Sequence, residues 1–171
     1  SKKIGEELRS ILITFGGDDG GGMTPKILRF LSEKYPDLEK KVFLGEAFGN
    51  LDEINACKDG RTCLSWAPNA REIRDAMMAA DVAISAGGQT LYELASTSTP
   101  VVAVIVAENQ VDNVIGWEKA GYVKNAGWCD DNSVLTNIGG FIEYFKSREN
   151  RIKCGGAGSS YVDGCGSVRV V

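Results

Sequence analysis

The sequence contains no histidine. Ser-His-Asp and Cys-His nucleophilic catalysis are therefore excluded, because both need an imidazole to take the proton of the attacking group. Five cysteines, Cys57, Cys63, Cys129, Cys154 and Cys165, lack close metal-type pairing. Without histidine a zinc site would need four thiolates or a thiolate and carboxylate mixture, at spacings that match no common knuckle. They read instead as free thiols of a cytoplasmic protein, with neither metal nor cofactor expected. No glycine-lysine-serine/threonine triplet closes a phosphate loop, and no GxGxxG string occurs. NAD and flavin binding are disfavoured on that ground. Basic residues are scattered over a chain of net charge −4 and pI near 5.0. A nucleic-acid partner is not expected, since backbone binding needs concentrated positive charge. No apolar run is long enough to span a bilayer, and the opening Ser1-Lys2-Lys3, polar again at Glu6 and Glu7, lacks the pattern of a secretory leader.

What is present is a soluble globular composition, 43% hydrophobic and 25% charged over 171 residues. That length is enough for one domain with its own core. Short apolar runs at 11–15, 41–45, 62–66, 81–85 and 101–106 predict strands, with another near Val123. Helices are expected over 23–35, 50–58, 72–80, 89–96, from 110 to about 120, and 133–145. Asn50 or Asp52, Asn69 and Ser133 are the candidate caps. The alternation of strand and helix predicts an α/β fold, a Rossmann-like parallel sheet between helices. Val101 to Val106 is apolar throughout, which suits a strand covered on both faces. The glycine-rich stretch 151–171 reads as a flexible tail, and its last run, Val168 to Val171, has the look of an element cut short.

In a parallel sheet the carboxyl ends of the strands share an edge, and ligands collect there where strand order reverses. Three glycine or polar loops follow strands and should meet at that edge. In the second, Gly87 and Gly88 lack side chains, so a phosphate can approach the amides of Gln89, Thr90 and Leu91 at a helix start. The same glycines also suit a plain tight turn. Thr90 adds a hydroxyl. Glu93, almost one turn on, can accept the hydroxyls of a ribose or stand as a solvated first-turn acid. In the first loop, GGDDGGG, Gly16 and Gly17 allow close approach, whereas Asp18 and Asp19 would repel a phosphate unless turned away. In the third, Glu108, Asn109 and Gln110 offer groups for sugar hydroxyls or a diphosphate, or serve as a helix cap. No pair of carboxylates can be placed for glycosidase chemistry, so no catalytic residue is assigned and binding is better supported than turnover.

The string ISAGGQTLYELASTSTPVVAVIVAENQ, with ILITFGGDD near the start and VDGCGSVRVV at the end, resembles the C-terminal half of the UDP-sugar hydrolases of the pseudaminic acid pathway. Those enzymes and the related spore-coat polysaccharide proteins look like the lipid II glucosaminyltransferase in having two Rossmann-like halves, the GT-B arrangement. The resemblance spans essentially the whole chain. It implies a domain that holds UDP or a UDP-sugar, with Gly88 to Thr90 at the diphosphate and Glu93 at the ribose. Asn109 and Gln110 then reach the sugar side, Gly16 and Gly17 open the cleft, and the backbone of Trp66, Ala67 and Pro68 reads the uracil. It also implies a partner, an N-terminal domain of the same protein, from which the family takes a histidine to activate water. The chain alone is accordingly expected to be inactive. Tyr92-Glu93-Leu94 departs from the family, which has tryptophan before the glutamate and arginine after it. A donor-binding domain of a glycosyltransferase and a non-catalytic nucleotide-sugar-binding module are the alternative readings.

Overall fold

The computed structural model describes residues 2–162. Its elements run β1 (Ser10–Thr14), α1 (Met23–Lys34), β2 (Glu39–Leu44), α2 (Leu51–Cys57), β3 (Thr62–Trp66), α3 (Ala70–Ala79) and β4 (Val82–Ala86). There follow α4 (Thr90–Ser96), β5 (Val101–Ile105), a 3-10 turn at Glu108–Gln110, α5 (Val111–Lys119), β6 (Val123–Trp128), α6 (Val134–Phe145) and α7 (Arg148–Tyr161). Every strand pair is parallel, in the order β3-β2-β1-β4-β5-β6. The chain thus winds outward one way from β1 and the other way from β4. The reversal leaves a crevice above β1 and β4, the place where this topology holds ligands.

The strands read as unbroken apolar runs because the middle of the sheet is covered on both faces. Ile11, Ile13, Val82, Ile84, Val102 and Val104 pack into one core with residues of α1 and α6. Leu12, Ala83, Val101 and Ala103 point the other way, into a second core with α3, α4 and α5. All ten strand residues are fully buried, each of the larger ones contributing roughly 1.5–3 kcal/mol. The edge strand β3 is less covered, and Cys63 and Trp66 there are exposed.

Of the candidate caps, Asn69 acts as one: its side chain accepts from the amides of Arg71 and Glu72, and the Glu72 carboxylate accepts from the Asn69 amide at 2.9 Å. Asn50 and Ser133 precede α2 and α6 but make no side-chain cap bond. Asp52 lies inside the first turn of α2.

The flexible tail expected from Arg151 onward is corrected: Arg148–Tyr161 is helical, begun by the Ser147 side chain accepting from the Asn150 amide. Two of its three glycines, Gly155 and Gly158, serve close contact. A Cβ at Gly155 would overlap the carbonyl of Ser98, and one at Gly158 would overlap the ring of Tyr122. Tyr122 is itself fully buried, its hydroxyl within 3.0 Å of the Thr99 carbonyl. Residues 163–171, with Cys165 and the run Val168 to Val171, lie outside the described residues.

The buried Arg151 guanidinium joins the first residues to the last helices. It donates to the carbonyls of Phe145 and Lys146 at the end of α6 and to those of Gly5 and Glu6 ahead of β1. Earlier in the same leading segment, the Lys2 ammonium donates to the Met77 carbonyl at 2.8 Å and the Thr99 hydroxyl at 2.6 Å. Burial pulls its pKa down to about 7 against the pull of Asp81. No helix among the described residues is long and apolar enough to cross a membrane.

Candidate functional site

A cleft of about 350 Å³ opens at the carboxyl ends of the strands. Gly16 from the loop after β1, Gly45 after β2, Ala67 and Pro68 after β3, and Thr90 and Glu93 of α4 all line it. Five of these six were singled out in the sequence, and the topology brings them to one place because each follows a strand of a parallel sheet.

The glycine pair after β4 divides its work. Gly87 is buried, and its amide is spent within the protein, on the Val104 carbonyl at 3.2 Å and the Gln110 side-chain oxygen at 3.1 Å. A Cβ there would overlap Val114 and press on Gln110. Gly88 is only partly buried, and a Cβ on it would meet nothing closer than the Gln110 amide nitrogen at 3.8 Å. Among the described residues, nothing accepts from the amides of Gly88, Gln89 or Thr90. Leu91, expected with Gln89 and Thr90 to offer a free amide, instead donates to the Gly88 carbonyl at 3.2 Å. The free donors are therefore consecutive, at the positive end of a short helix.

Across the crevice the amides of Gly16 and Gly17 likewise have no backbone acceptor among the described residues. Gly16 has φ +77°, a left-handed conformation that glycine adopts without strain. Gly17 is held by its carbonyl, which accepts from Ala47 at 3.1 Å. Gly45 packs so closely on Gly17 that a Cβ would overlap its backbone. The sequence reading missed Gly45, although a glycine ending an apolar strand was its visible signal. Asp18 is exposed, whereas Asp19 is buried and turned away from the cleft toward α1, where it accepts from the amides of Met23 and Thr24.

Trp66 is half exposed and does not line the cleft; the next two residues do. Ala67 has φ +40°, and its amide is pinned to the Leu44 carbonyl at 2.8 Å, so the turn is fixed even though the residue is not glycine. Glu93 is exposed at the rim and borders both the cleft and the groove between α3 and α4.

Glu108, Asn109 and Gln110 stand apart from the cleft lining. Glu108 and Asn109 are exposed, and Asn109 borders a groove with Tyr92 and Asp112. The Gln110 side-chain oxygen accepts from Val106 as well as Gly87, both at 3.1 Å, tying the loop after β5 to the loop after β4. Asn113, which the sequence reading missed, braces the same corner. Its amide donates to the Gly87 carbonyl at 2.7 Å while its oxygen accepts from the Tyr92 hydroxyl at 3.0 Å. Only the fold puts Asn113 beside Gly87.

The described residues hold no cluster of three or more His, Cys, Asp or Glu side chains able to hold a metal. A larger hollow of about 810 Å³ lies at the opposite edge of the sheet, bordered by Ser10, Lys40, Arg61 and Asp75. The Lys40 ammonium there is already paired with Asp59 at 2.6 Å. Of the loop residues whose amides lack an acceptor among the described residues, Gly16 and Thr90 line the smaller cleft, one from each loop, whereas Gly17, Gly88 and Gln89 lie outside its lining.

No family profile matches the chain. Over 115 residues it is 30% identical to the uncharacterized protein MJ1062 of Methanocaldococcus jannaschii, a stretch covering 64% of this chain and 23% of that protein. Among solved structures, MurG of Acinetobacter baumannii matches 94% of this chain with 47% of its own, at TM-score 0.68 and 17% identity. A UDP-GlcNAc 2-epimerase of Neisseria meningitidis, bound to UDP-GlcNAc, matches 94% with 42% of its own, at TM-score 0.68 and 20% identity. The C-terminal domain of the group 1 glycosyl transferase LpcC of Francisella tularensis matches 89% of this chain with 83% of its own, at TM-score 0.62 and 15% identity. The chain thus has the Rossmann-like fold of one half of a GT-B protein, and it spans less than half the length of the MurG and epimerase chains and about a quarter of MJ1062.

Proposed function

We propose that this domain binds the nucleotide diphosphate part of a UDP-sugar as one half of a nucleotide-sugar hydrolase. The observation that carries the reading is that the loops after β1 and β4, at the topological switch point, hold amides with no acceptor among the described residues, at Gly16 and Gly17 and at Gly88, Gln89 and Thr90, and that Gly16 and Thr90 line one cleft. Such donors at a helix start hold phosphate without a net positive chain. Glu93 accepts the ribose hydroxyls from the cleft rim, and the fixed turn at Ala67 and Pro68, next to Trp66, reads the base edge. The loop Glu108 to Gln110, outside the cleft lining, is the part that would meet the sugar beyond the cleft, and among the described residues the Gln110 amide nitrogen, unlike its oxygen, makes no hydrogen bond.

In hydrolysis, water adds to the sugar carbon of the UDP–sugar linkage, the carbon–oxygen bond breaks and UDP leaves with the electron pair; addition to the β-phosphorus instead breaks the phosphorus–oxygen bond and the sugar oxygen takes the pair. The amides of this half stabilise the charge developing on the diphosphate. The base that takes the proton from water belongs to the other half of the protein, so this chain alone turns over no UDP-sugar. The resemblance to UDP-sugar hydrolases of the pseudaminic acid pathway favours hydrolysis, and the free thiols at Cys57, Cys63, Cys129 and Cys154 accord with a reducing, cytoplasmic setting. Donor binding for glycosyl transfer is the second reading, favoured by the fit to MurG and to the LpcC domain. Release of UDP by the whole protein without an acceptor separates the two.

Calorimetry with UDP tests the binding. Glu93→Ala, which removes charged acceptors worth about 1.5–3 kcal/mol, should weaken UDP roughly tenfold to a hundredfold. Absence of UDP binding by the unaltered chain, or equal affinity in the variant, contradicts the proposal.

A further inference from the structure

Two helices could offer an anion their amino ends at this crevice, α1 after the first glycine loop and α4 after the second, and only one is open. The mouth of α1 is filled by the chain's own carboxylate. Asp19 Oδ1 accepts from the amide of Met23 at 3.0 Å, and Oδ2 accepts from Thr24 at 3.1 Å and from the Asn50 side-chain amide at 2.8 Å. The residue is 4% exposed and has φ +50°, an unfavourable conformation for a side-chain-bearing residue that the surrounding bonds must maintain. Its own carbonyl accepts from Gly22 at 2.6 Å, closing the turn into α1. Asp19 therefore stands where a phosphate would sit, and it ties the loop that carries Gly16 and Gly17 to both α1 and α2.

We propose that Asp19 is the positioning residue of the site: by closing α1 to anions and anchoring this loop, it leaves α4 as the diphosphate helix and holds the Gly16 and Gly17 amides toward the cleft. This rests on the nucleotide-binding reading above. The residue acts through the loop and touches no ligand, so its effect must fall on the diphosphate and spare the nucleoside.

The test is calorimetry with UDP and with uridine on the full chain, for the unaltered protein and three variants, with thermal unfolding alongside. Asp19→Ala should lower UDP affinity tenfold or more and leave uridine affinity unchanged. Asp19→Asn should stay within threefold of the unaltered protein for UDP. Its oxygen still caps α1, and Asn50 Oδ1, buried and without a partner among the described residues, can turn to take the new amide. Asn50→Ala cuts the tether and keeps the cap, so it decides the matter if Asp19→Ala does not fold. It should lose UDP affinity severalfold with uridine again unchanged. Equal losses for UDP and uridine, no loss in either alanine variant that folds, or a loss in Asp19→Asn as large as in Asp19→Ala would each overturn the inference. If the unaltered chain binds no UDP, the functional reading fails instead.

Discussion

Gly87 and Gly88 are adjacent and identical in the sequence, yet alanine should act oppositely at the two. At Gly87 the new methyl would overlap Val114 and meet the Gln110 side chain at 3.1 Å from its Cβ and 3.3 Å from its oxygen. Val114 is fully buried on α5 and cannot retreat without moving that helix. Overpacking of this kind costs about 1–3 kcal/mol, and loosening the two Gln110 hydrogen bonds adds about 0.5–1.5 kcal/mol each. A loss of about 3 kcal/mol lowers the melting temperature of a chain this size by roughly 6–12 °C. At Gly88 the methyl has room and the backbone needs no positive φ, so stability should stay within about 0.5 kcal/mol. The same methyl would stand in the path of a phosphate toward the free amides, so UDP affinity should fall by about tenfold or more, roughly 1.4 kcal/mol. Scanning calorimetry and UDP titration of Gly87→Ala and Gly88→Ala give both readouts. Equal melting temperatures for the two variants would refute the packing assignment, and a stable Gly88→Ala that binds UDP like the unaltered chain would refute the phosphate path.

Two further predictions concern the scaffold. Burial alone would raise the Asp59 carboxyl, but hydrogen bonds from Lys40, Thr62 and the Arg61 amide prevail and hold its pKa at about 2. Since the folded value lies below the unfolded value of about 4, its stabilisation is complete above pH 4 and is lost as pH falls toward 2. Urea unfolding should show Asp59→Asn to be less stable at pH 6, with the gap closing between pH 4 and 2.5; parallel profiles would contradict this. Arg151→Met leaves four carbonyls without their donor and should cost about 3 kcal/mol or more. Limited proteolysis should then cut within residues 2–9, and unchanged protection of that segment would argue against the anchor.

The strands and the site loops were legible because both are local signals. Apolar runs ending in glycine mark buried parallel strands, and parallel topology sends their carboxyl ends to one edge. Asn69 with Glu72 was equally local, a cap and its partner three residues apart. What escaped depends on contacts distant in sequence. Gly155 and Gly158 read as a flexible tail because composition cannot say that Ser98 and Tyr122 press against them. Leu91 belonged to the set of expected free amides until the helix start, at Thr90, gave its N–H an acceptor in Gly88. Asp19 read as a hazard to phosphate in GGDDGGG, and only the fold turns its carboxylate into the mouth of α1. Gln110 read as a group for sugar hydroxyls or a diphosphate and Asn113 went unremarked, and their side-chain amides prove to lace that corner together.

The most direct measurement is a nitrogen-edited NMR titration of the chain with UDP, which locates the ligand amide by amide. The largest shifts should fall on Gly16, Gly17, Gly88, Gln89 and Thr90, with Lys40, Arg61 and Thr62 at the far edge of the sheet unmoved. Shifts confined to that far edge, or none at saturating UDP, would contradict diphosphate binding at the switch point.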